Sequence, residues 1–189
     1  MKSIGVLALQ GAFKEHIDII RSLGHKGIEV RGIRGLNSID GLIVPGGEST
    51  TIGKLLVDFN LKEVLIEKIR GGLPVWGTCA GMILLAKQIV GDEVRHLPLM
   101  DIVVRRNGYG RQMGSFKVEG FFKGIDNKIP MVFIRAPYIE FVGKGVEVLG
   151  EIDGKMVAAR QENMLVTSFH PELTDDLELH RYFINVMGI

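Results

Sequence analysis

The chain has one cysteine among its 189 residues, so no disulfide can close within it and no multi-cysteine metal site can be built. That scarcity fits a reducing, cytoplasmic setting better than a secreted one. Surplus charge is missing too: 23 lysines and arginines against 22 aspartates and glutamates leave a formal +1. Such a chain has no long-range field to gather polyanions, and its only tight basic group is Arg105, Arg106 and Arg111, so a nucleic-acid partner is not expected. Long apolar runs are absent as well. Ile4–Leu9 is too short for a signal core, and Cys79–Ala86 stops at Lys87, far below the roughly 20 residues that span a bilayer. No repeat, linker or low-complexity tract breaks the chain, and a single domain over 1–189 is the expectation.

What is present is an ordinary globular composition, 46% hydrophobic and 24% charged, which excludes intrinsic disorder. Glycine, at 25 residues, is about twice its usual share of roughly 7%. Apolar runs at Ile4–Leu9, Gly41–Val44 and Pro74–Gly77 read as doubly buried strands, with a short extended piece at Ile28–Val30. Between them, Lys14–Leu23 and Leu61–Ile69 have helical spacing, a further helix capped by Ser49 or Thr50 follows the second glycine-rich turn, and Met82–Ile89 reads as helix by its apolar content. Alternation of this kind predicts a three-layer, doubly wound, mostly parallel α/β sheet. After Met100 the pattern changes to short β-like runs at 101–104, 131–134, 146–149, 156–159 and 165–168, which extend the sheet and add a small antiparallel part. A last helix over Asp175–Met187 puts Leu177, Leu179, Phe183 and Val186 on one side.

Three segments carry chemistry. Gly77-Thr78-Cys79-Ala80-Gly81 lies between a buried strand and a helix and has the form of a nucleophile elbow with sulfur in place of a hydroxyl. Small flanking residues let the backbone turn sharply, the helix start favours an anion, and the Ala80 N–H is placed to receive an oxyanion. In Ser168-Phe169-His170-Pro171-Glu172, proline biases His170 toward an extended conformation, where residues two apart project to the same side. Glu172 can then orient the imidazole, which completes the logic of a Cys–His–acid triad. Pro45-Gly46-Gly47-Glu48-Ser49-Thr50-Thr51 follows another strand, where open α/β sheets place ligands. As a phosphate cradle it fails: five residues separate Gly47 from Gly53-Lys54 where a P-loop has four, and Glu48 would repel phosphate. Its glycine amides can instead complete an oxyanion hole, with Glu48 free to meet a substrate ammonium group. Gly108-Tyr109-Gly110 fails as a dinucleotide fingerprint because the next glycine is Gly114 and no first strand precedes it.

Together these segments resemble the class I glutamine amidotransferases, of flavodoxin-like fold, and within them the glutaminase subunits of pyridoxal 5′-phosphate synthase. The resemblance runs over Gly5–Gly11, Pro45–Thr51, Gly77–Gly81, Arg106–Gln112, Phe133–Pro137 and Ser168–Thr174; only Gly108-Tyr109 departs from the small residue and Phe expected there. It implies a triad of Cys79, His170 and Glu172, and glutamine held by Gly47, Glu48, Ser49, Arg106, Ile134 and Arg135. It also implies an oxyanion site at Gly46, Gly47 and Ala80 with Gln10 nearby. The implied activity is hydrolysis of L-glutamine to glutamate and ammonia, with the ammonia passed to a (β/α)₈-barrel synthase subunit for vitamin B6 coenzyme synthesis. No cofactor or metal is implied, pyridoxal phosphate being a product. Two rivals stay open: a glutaminase or γ-glutamyl hydrolase of the same superfamily serving another reaction, and a non-catalytic amidotransferase-like module that only binds a partner.

Overall fold

A computed structural model describes residues 1–109 and 114–189, so Gly110, Arg111 and Gln112 of the resemblance lie outside the described residues. The chain begins with β1 (Ser3–Leu7), α1 (Phe13–Ser22), β2 (Lys26–Val30), β3 (Gly41–Val44), α2 (Ser49–Asp58), α3 (Lys62–Arg70), β4 (Val75–Thr78) and α4 (Ala80–Leu85). It continues through β5 (Ala86–Ile89), β6 (Met100–Arg105), β7 (Ser115–Gly120), β8 (Ile129–Ile134), β9 (Tyr138–Val142), β10 (Glu147–Ile152), β11 (Lys155–Gln161) and β12 (Met164–Thr167), and closes with α5 (Glu178–Val186). The main sheet has the order β2-β1-β3-β4-β12-β11-β9-β6-β5, with β10 paired to β11; β7 and β8 form a separate antiparallel pair.

From β2 to β12 every neighbouring pair is parallel; β1, β3, β4 and β12 are buried on both faces, whereas the edge strand β2 leaves Lys26 and Glu29 exposed. Side chains alternate between two cores as the pleat requires. Ile4, Val6, Ile43, Trp76 and Leu165 pack with α1 and α5, whereas Leu42, Val44, Val75, Met164 and Val166 pack with α2, α3 and α4. The three-layer, doubly wound expectation is therefore met. Beyond β12 the pairings to β11, β9 and β6 are antiparallel, and β6–β5 is parallel again.

Several elements differ from the sequence reading. Met82–Ile89 is not one helix: α4 ends at Leu85, and Ala86 turns extended (φ −66°, ψ 137°) so that β5 can pair with β6. An apolar run of this length suits a buried helix or a buried strand equally, and here it is divided between them. The strands β7 and β9 were not anticipated. The last helix is shorter than 175–187 and turned: Leu179, His180, Tyr182, Phe183 and Ile184 face inward, while Val186 is half exposed.

β1, β3, β4 and β12 are adjacent in the sheet, and the chain switches sides of β1 between β2 and β3. The segments leaving the carboxyl ends of these four strands contain Gln10, Gly46–Ser49, Cys79 and His170. Parallel order thus brings residues far apart in sequence to one edge, the crevice where such sheets bind ligands.

Candidate active site

Cys79 occupies the sharp turn between β4 and α4 with φ +50° and ψ −101°, a backbone region that L-residues seldom enter. Its cost, of order 1–3 kcal/mol, is sustained because the surroundings fix the turn. The Cys79 N–H donates to the Thr167 carbonyl at 2.8 Å, prolonging the β4–β12 ladder into the elbow. A Cβ on Gly77 would strike the Gly81 backbone, and one on Gly81 would strike the Val44 carbonyl, so both flanking glycines are required by close approach. The residue is only 8% exposed, yet its surface opens into a cavity of about 450 Å³.

His170 follows β12, and its Nδ1 lies 2.7 Å from Glu172 Oε1. The main-chain N–H of His170 donates to Val132 O at 2.8 Å, which ties the histidine segment to β8. Burial pulls the His170 pKa down, but the neighbouring Cys79 side chain and the hydrogen bond and charge of Glu172 outweigh it and push the value up to about 10. The ring therefore favours the imidazolium form in this resting geometry. Burial acts to raise the Glu172 carboxyl, whereas the His16 and His170 imidazoles hold it below its ordinary value. Glu172 is buried and sits in a short 3₁₀ turn over Pro171–Leu173 and not on the extended segment expected, and from that turn its carboxylate reaches the His170 imidazole.

The glycine loop comes from the carboxyl end of β3. Its Gly46 carbonyl accepts from the Ala12 N–H at 3.1 Å, and the Glu48 N–H donates to Gln10 Oε1 at 2.8 Å, so the β1–α1 and β3–α2 loops brace one another. A Cβ on Gly46 would collide with the His170 ring and press on Cys79 Cβ. Gly46 therefore lies behind the reacting pair, and Gly47 lines the cavity. The Ala80 N–H, first in α4, has no intrahelical acceptor and borders the same space.

The capping expectation needs correction. Neither Ser49 nor Thr50 caps α2: the Glu48 carboxylate accepts from the N–H and hydroxyl groups of both Thr50 and Thr51. These hydroxyl and amide donors outweigh partial burial and lower its pKa to about 2. Glu48 lines the cavity as expected, but its oxygens are already engaged, so it meets a ligand as a fixed negative field more than as a free partner. Because the folded pKa lies below the ordinary 4.5, Glu48 stabilises the fold fully above about pH 4.5, and that contribution fades toward pH 2. Glu48→Ala should cost about 1 kcal/mol at neutral pH, the usual scale for a lost cap, and clearly less at pH 2, where half of the carboxylate is protonated. Denaturation curves of the two proteins at both pH values check this.

The cavity is lined by Gln10, Gly47, Glu48, Ser49, Cys79, Ala80, Ile83, Arg106, Asn107, Ile134, Arg135, Pro137 and His170. Every expected glutamine-binding residue is among them. Arg106 Nη2 lies 3.3 Å from Asp92 Oδ2, and its Nε has no hydrogen-bond acceptor among the described residues. Arg135 is exposed at the rim with φ +43°, its N–H held by Gly114 O at 2.7 Å. A larger hollow of about 600 Å³, beside Phe121 and Lys123, contains none of these residues. Ile83, Asn107 and Pro137 were not singled out from sequence. His16 was passed over too, although it falls on the same face of α1 as Ile17 and Ile20, the signal that it points inward.

A model of the SNO glutamine amidotransferase family matches residues 6–188. The chain belongs to the SNO glutamine amidotransferase family. Among its relatives, the protein named pyridoxal 5′-phosphate synthase subunit PdxT of Ruminiclostridium cellulolyticum is 56% identical, over 99% of this chain and all of the relative. The PdxT of Caldanaerobacter subterraneus subsp. tengcongensis is 54% identical over 97% of this chain and 98% of its own length. A crystal structure described as a glutamine amidotransferase superimposes with a TM-score of 0.94 at 45% identity, covering 98% of this chain and 99% of that one. A GMP synthase subunit structure from Thermoplasma acidophilum, at 18% identity and TM-score 0.67 over 99% of this chain and 94% of its own, shares the fold. Among the described residues no helix is long and apolar enough to cross a membrane.

Proposed function

We propose that this family member is the glutaminase subunit of pyridoxal 5′-phosphate synthase, with Cys79 as nucleophile, His170 as proton carrier and Glu172 as its orienting carboxylate. The observation that carries this reading is the meeting, in one cavity, of a strained elbow cysteine and a histidine whose far nitrogen is held by a buried carboxylate at 2.7 Å.

The chemistry follows from the parts. The Cys79 thiolate attacks the side-chain amide carbon of glutamine, and the carbonyl oxygen becomes an oxyanion. Donors for it are the Ala80 N–H and the Gly47 amide; losing one such donor typically costs about 10²- to 10³-fold in rate. His170, protonated at rest, gives its proton to the departing nitrogen, so ammonia leaves and a γ-glutamyl thioester remains. The now neutral imidazole takes a proton from water, which attacks the thioester and releases glutamate and the thiolate. Arg106 supplies positive charge for the substrate α-carboxylate, with Arg135 on the same rim; Ser49 and the field of Glu48 face the ammonium end.

Ammonia passes to a (β/α)₈-barrel synthase subunit, and the loop bracing suggests how docking controls hydrolysis. With Gly46 tied to Ala12 and Glu48 to Gln10, any displacement of the β1–α1 loop moves the oxyanion loop, and glycine adapts its peptide at low cost. Glutamate release from glutamine should therefore be slow for the chain alone and faster with the synthase present, accompanied by coenzyme formation from pentose and triose phosphates. Equal turnover in both conditions would remove the coupling; no glutamate in either would remove the glutaminase reading.

A further inference from the structure

Behind the triad lies a second pair of imidazoles that the reaction as written does not use. His16, on the inner face of α1, and His180, on the inner face of α5, are both fully buried. His16 Nε2 is 3.4 Å from Glu172 Oε2 and 3.4 Å from Thr78 Oγ1, and its Nδ1 is 2.9 Å from His180 Nε2. The Trp76 ring packs edge-on against both imidazoles, with centroids at 5.7 and 5.0 Å, and excludes water from the group.

The proton positions in this chain follow from counting. Burial lowers the pKa of His16, with Glu172 opposing it, and lowers that of His180 further, so each ring is neutral and carries one proton. Suppose His16 carried it on Nδ1. Its bare Nε2 could then accept from the Thr78 hydroxyl but would turn a lone pair toward the Glu172 carboxylate, and His180 would bear its proton on Nδ1, an atom with no hydrogen-bond partner among the described residues. That arrangement buries an N–H with no acceptor, a rarer and costlier orphan than a lone pair with no donor. In the other arrangement His180 Nε2–H donates to His16 Nδ1, the lone pair of His180 Nδ1 has no partner, and His16 Nε2–H lies 3.4 Å both from Thr78 Oγ1, its hydrogen-bond partner, and from Glu172 Oε2, a buried oxygen that no donor among the described residues satisfies.

We infer that His16, braced by His180, is a positioning residue for glutamine hydrolysis: it donates from Nε2 to the second oxygen of Glu172 and thereby fixes the carboxylate that orients His170. The inference rests on the triad reading above. With His170 Nδ1–H 2.7 Å from Oε1 and His16 Nε2–H turned onto Oε2 from 3.4 Å, the carboxylate meets a donor on each side. Supporting hydrogen bonds of this sort around a functional site are typically worth about 10- to 100-fold. The titratable and charged groups that act on His16 and Glu172 are His170, His180 and Glu15 of α1, with Cys79 acting on them through His170.

Two polar replacements separate positioning from packing. In His16→Gln the amide nitrogen reaches the place of Nε2 and can still donate to Glu172. In His16→Asn the shorter side chain reaches only toward His180. We expect His16→Gln to stay within a few fold of the parent, and His16→Asn to lose about 10- to 100-fold in kcat with little change in KM for glutamine. The acidic limb of its kcat/KM profile should also move to higher pH, because Glu172 has lost a donor that favours its charged form. Equal kcat values and superimposable pH profiles for the two variants would overturn the assignment. Should either variant fail to fold, nitrogen-15 NMR of histidine-labelled parent protein gives an independent answer: His16 and His180 both protonated at Nε2 supports it, and His16 protonated at Nδ1 overturns it. Cys79→Ala assayed alongside keeps the two readings apart. Retained hydrolysis in that variant would sink the triad itself, whereas its loss together with indistinguishable Gln and Asn variants would sink only the role of His16.

Discussion

Replacing Cys79 by alanine should abolish ammonia release from glutamine, with a fall of at least about 10⁴-fold, while the complex with the synthase still makes coenzyme from supplied ammonium. Groups that act as one unit lose nearly everything when a single member is removed, because the oxyanion donors and binding contacts that remain cannot replace a nucleophile. His170→Asn should behave alike. Fold is not at issue in either case: Cys79 is a small side chain whose removal leaves the elbow held by Gly77, Gly81 and the Thr167 carbonyl. Glutamate release and coenzyme formation, measured in parallel with glutamine or with ammonium as nitrogen source, read the result. Loss of both activities would mean that the variant disturbs docking and that Cys79 has not been isolated as the nucleophile. Retained hydrolysis would remove it from the chemistry altogether.

Glu172→Gln is expected to have the second-largest effect, about 10³- to 10⁴-fold in kcat, by analogy with the loss of the carboxylate in other nucleophile–histidine–acid sites. The substitution keeps shape and burial but places an amide where two imidazole N–H groups now converge. One amide oxygen can accept from His170 or from His16, and the amide nitrogen then confronts the other ring, so one histidine must change its proton position. If it is His170, Nδ1 is left bare and the single proton stays on Nε2, so that nitrogen cannot take the proton of the water that hydrolyses the thioester. The pH profile should also lose its high-pH reach. The folded His170 pKa of about 10 depends in part on the charge of Glu172, and without that charge the imidazolium is lost at lower pH. Unchanged turnover in Glu172→Gln would show that the carboxylate does not direct the imidazole.

How much of this was legible in the sequence depended on whether a residue type has one physical use or several. Cys79 could be read because glycines on both sides serve a turn and little else, and the structure shows the two collisions that exclude any side chain there. His170 and Glu172 could be read because proline fixed the local direction of the chain. Glu48 was read as a substrate partner because glutamate is an uncommon cap, yet its side chain bends back over α2 to collect four donors. The β7 strand, Ser-Phe-Lys-Val-Glu-Gly, does alternate with period two, but its pairing with β8 away from the main sheet is a tertiary matter. His16 and His180 stayed hidden for a related reason: counting only aliphatic positions leaves histidine out of a buried face, and nothing local links a residue of the first helix to one of the last.

The order of strands also sets when the enzyme can become one. β4, which precedes Cys79, is made well before β12, which precedes His170 and must insert between β4 and β11. A chain still emerging from the ribosome folds from its amino-terminal part onward. Until that later strand takes its place in the middle of the sheet, the growing protein holds the elbow cysteine with no imidazole beside it.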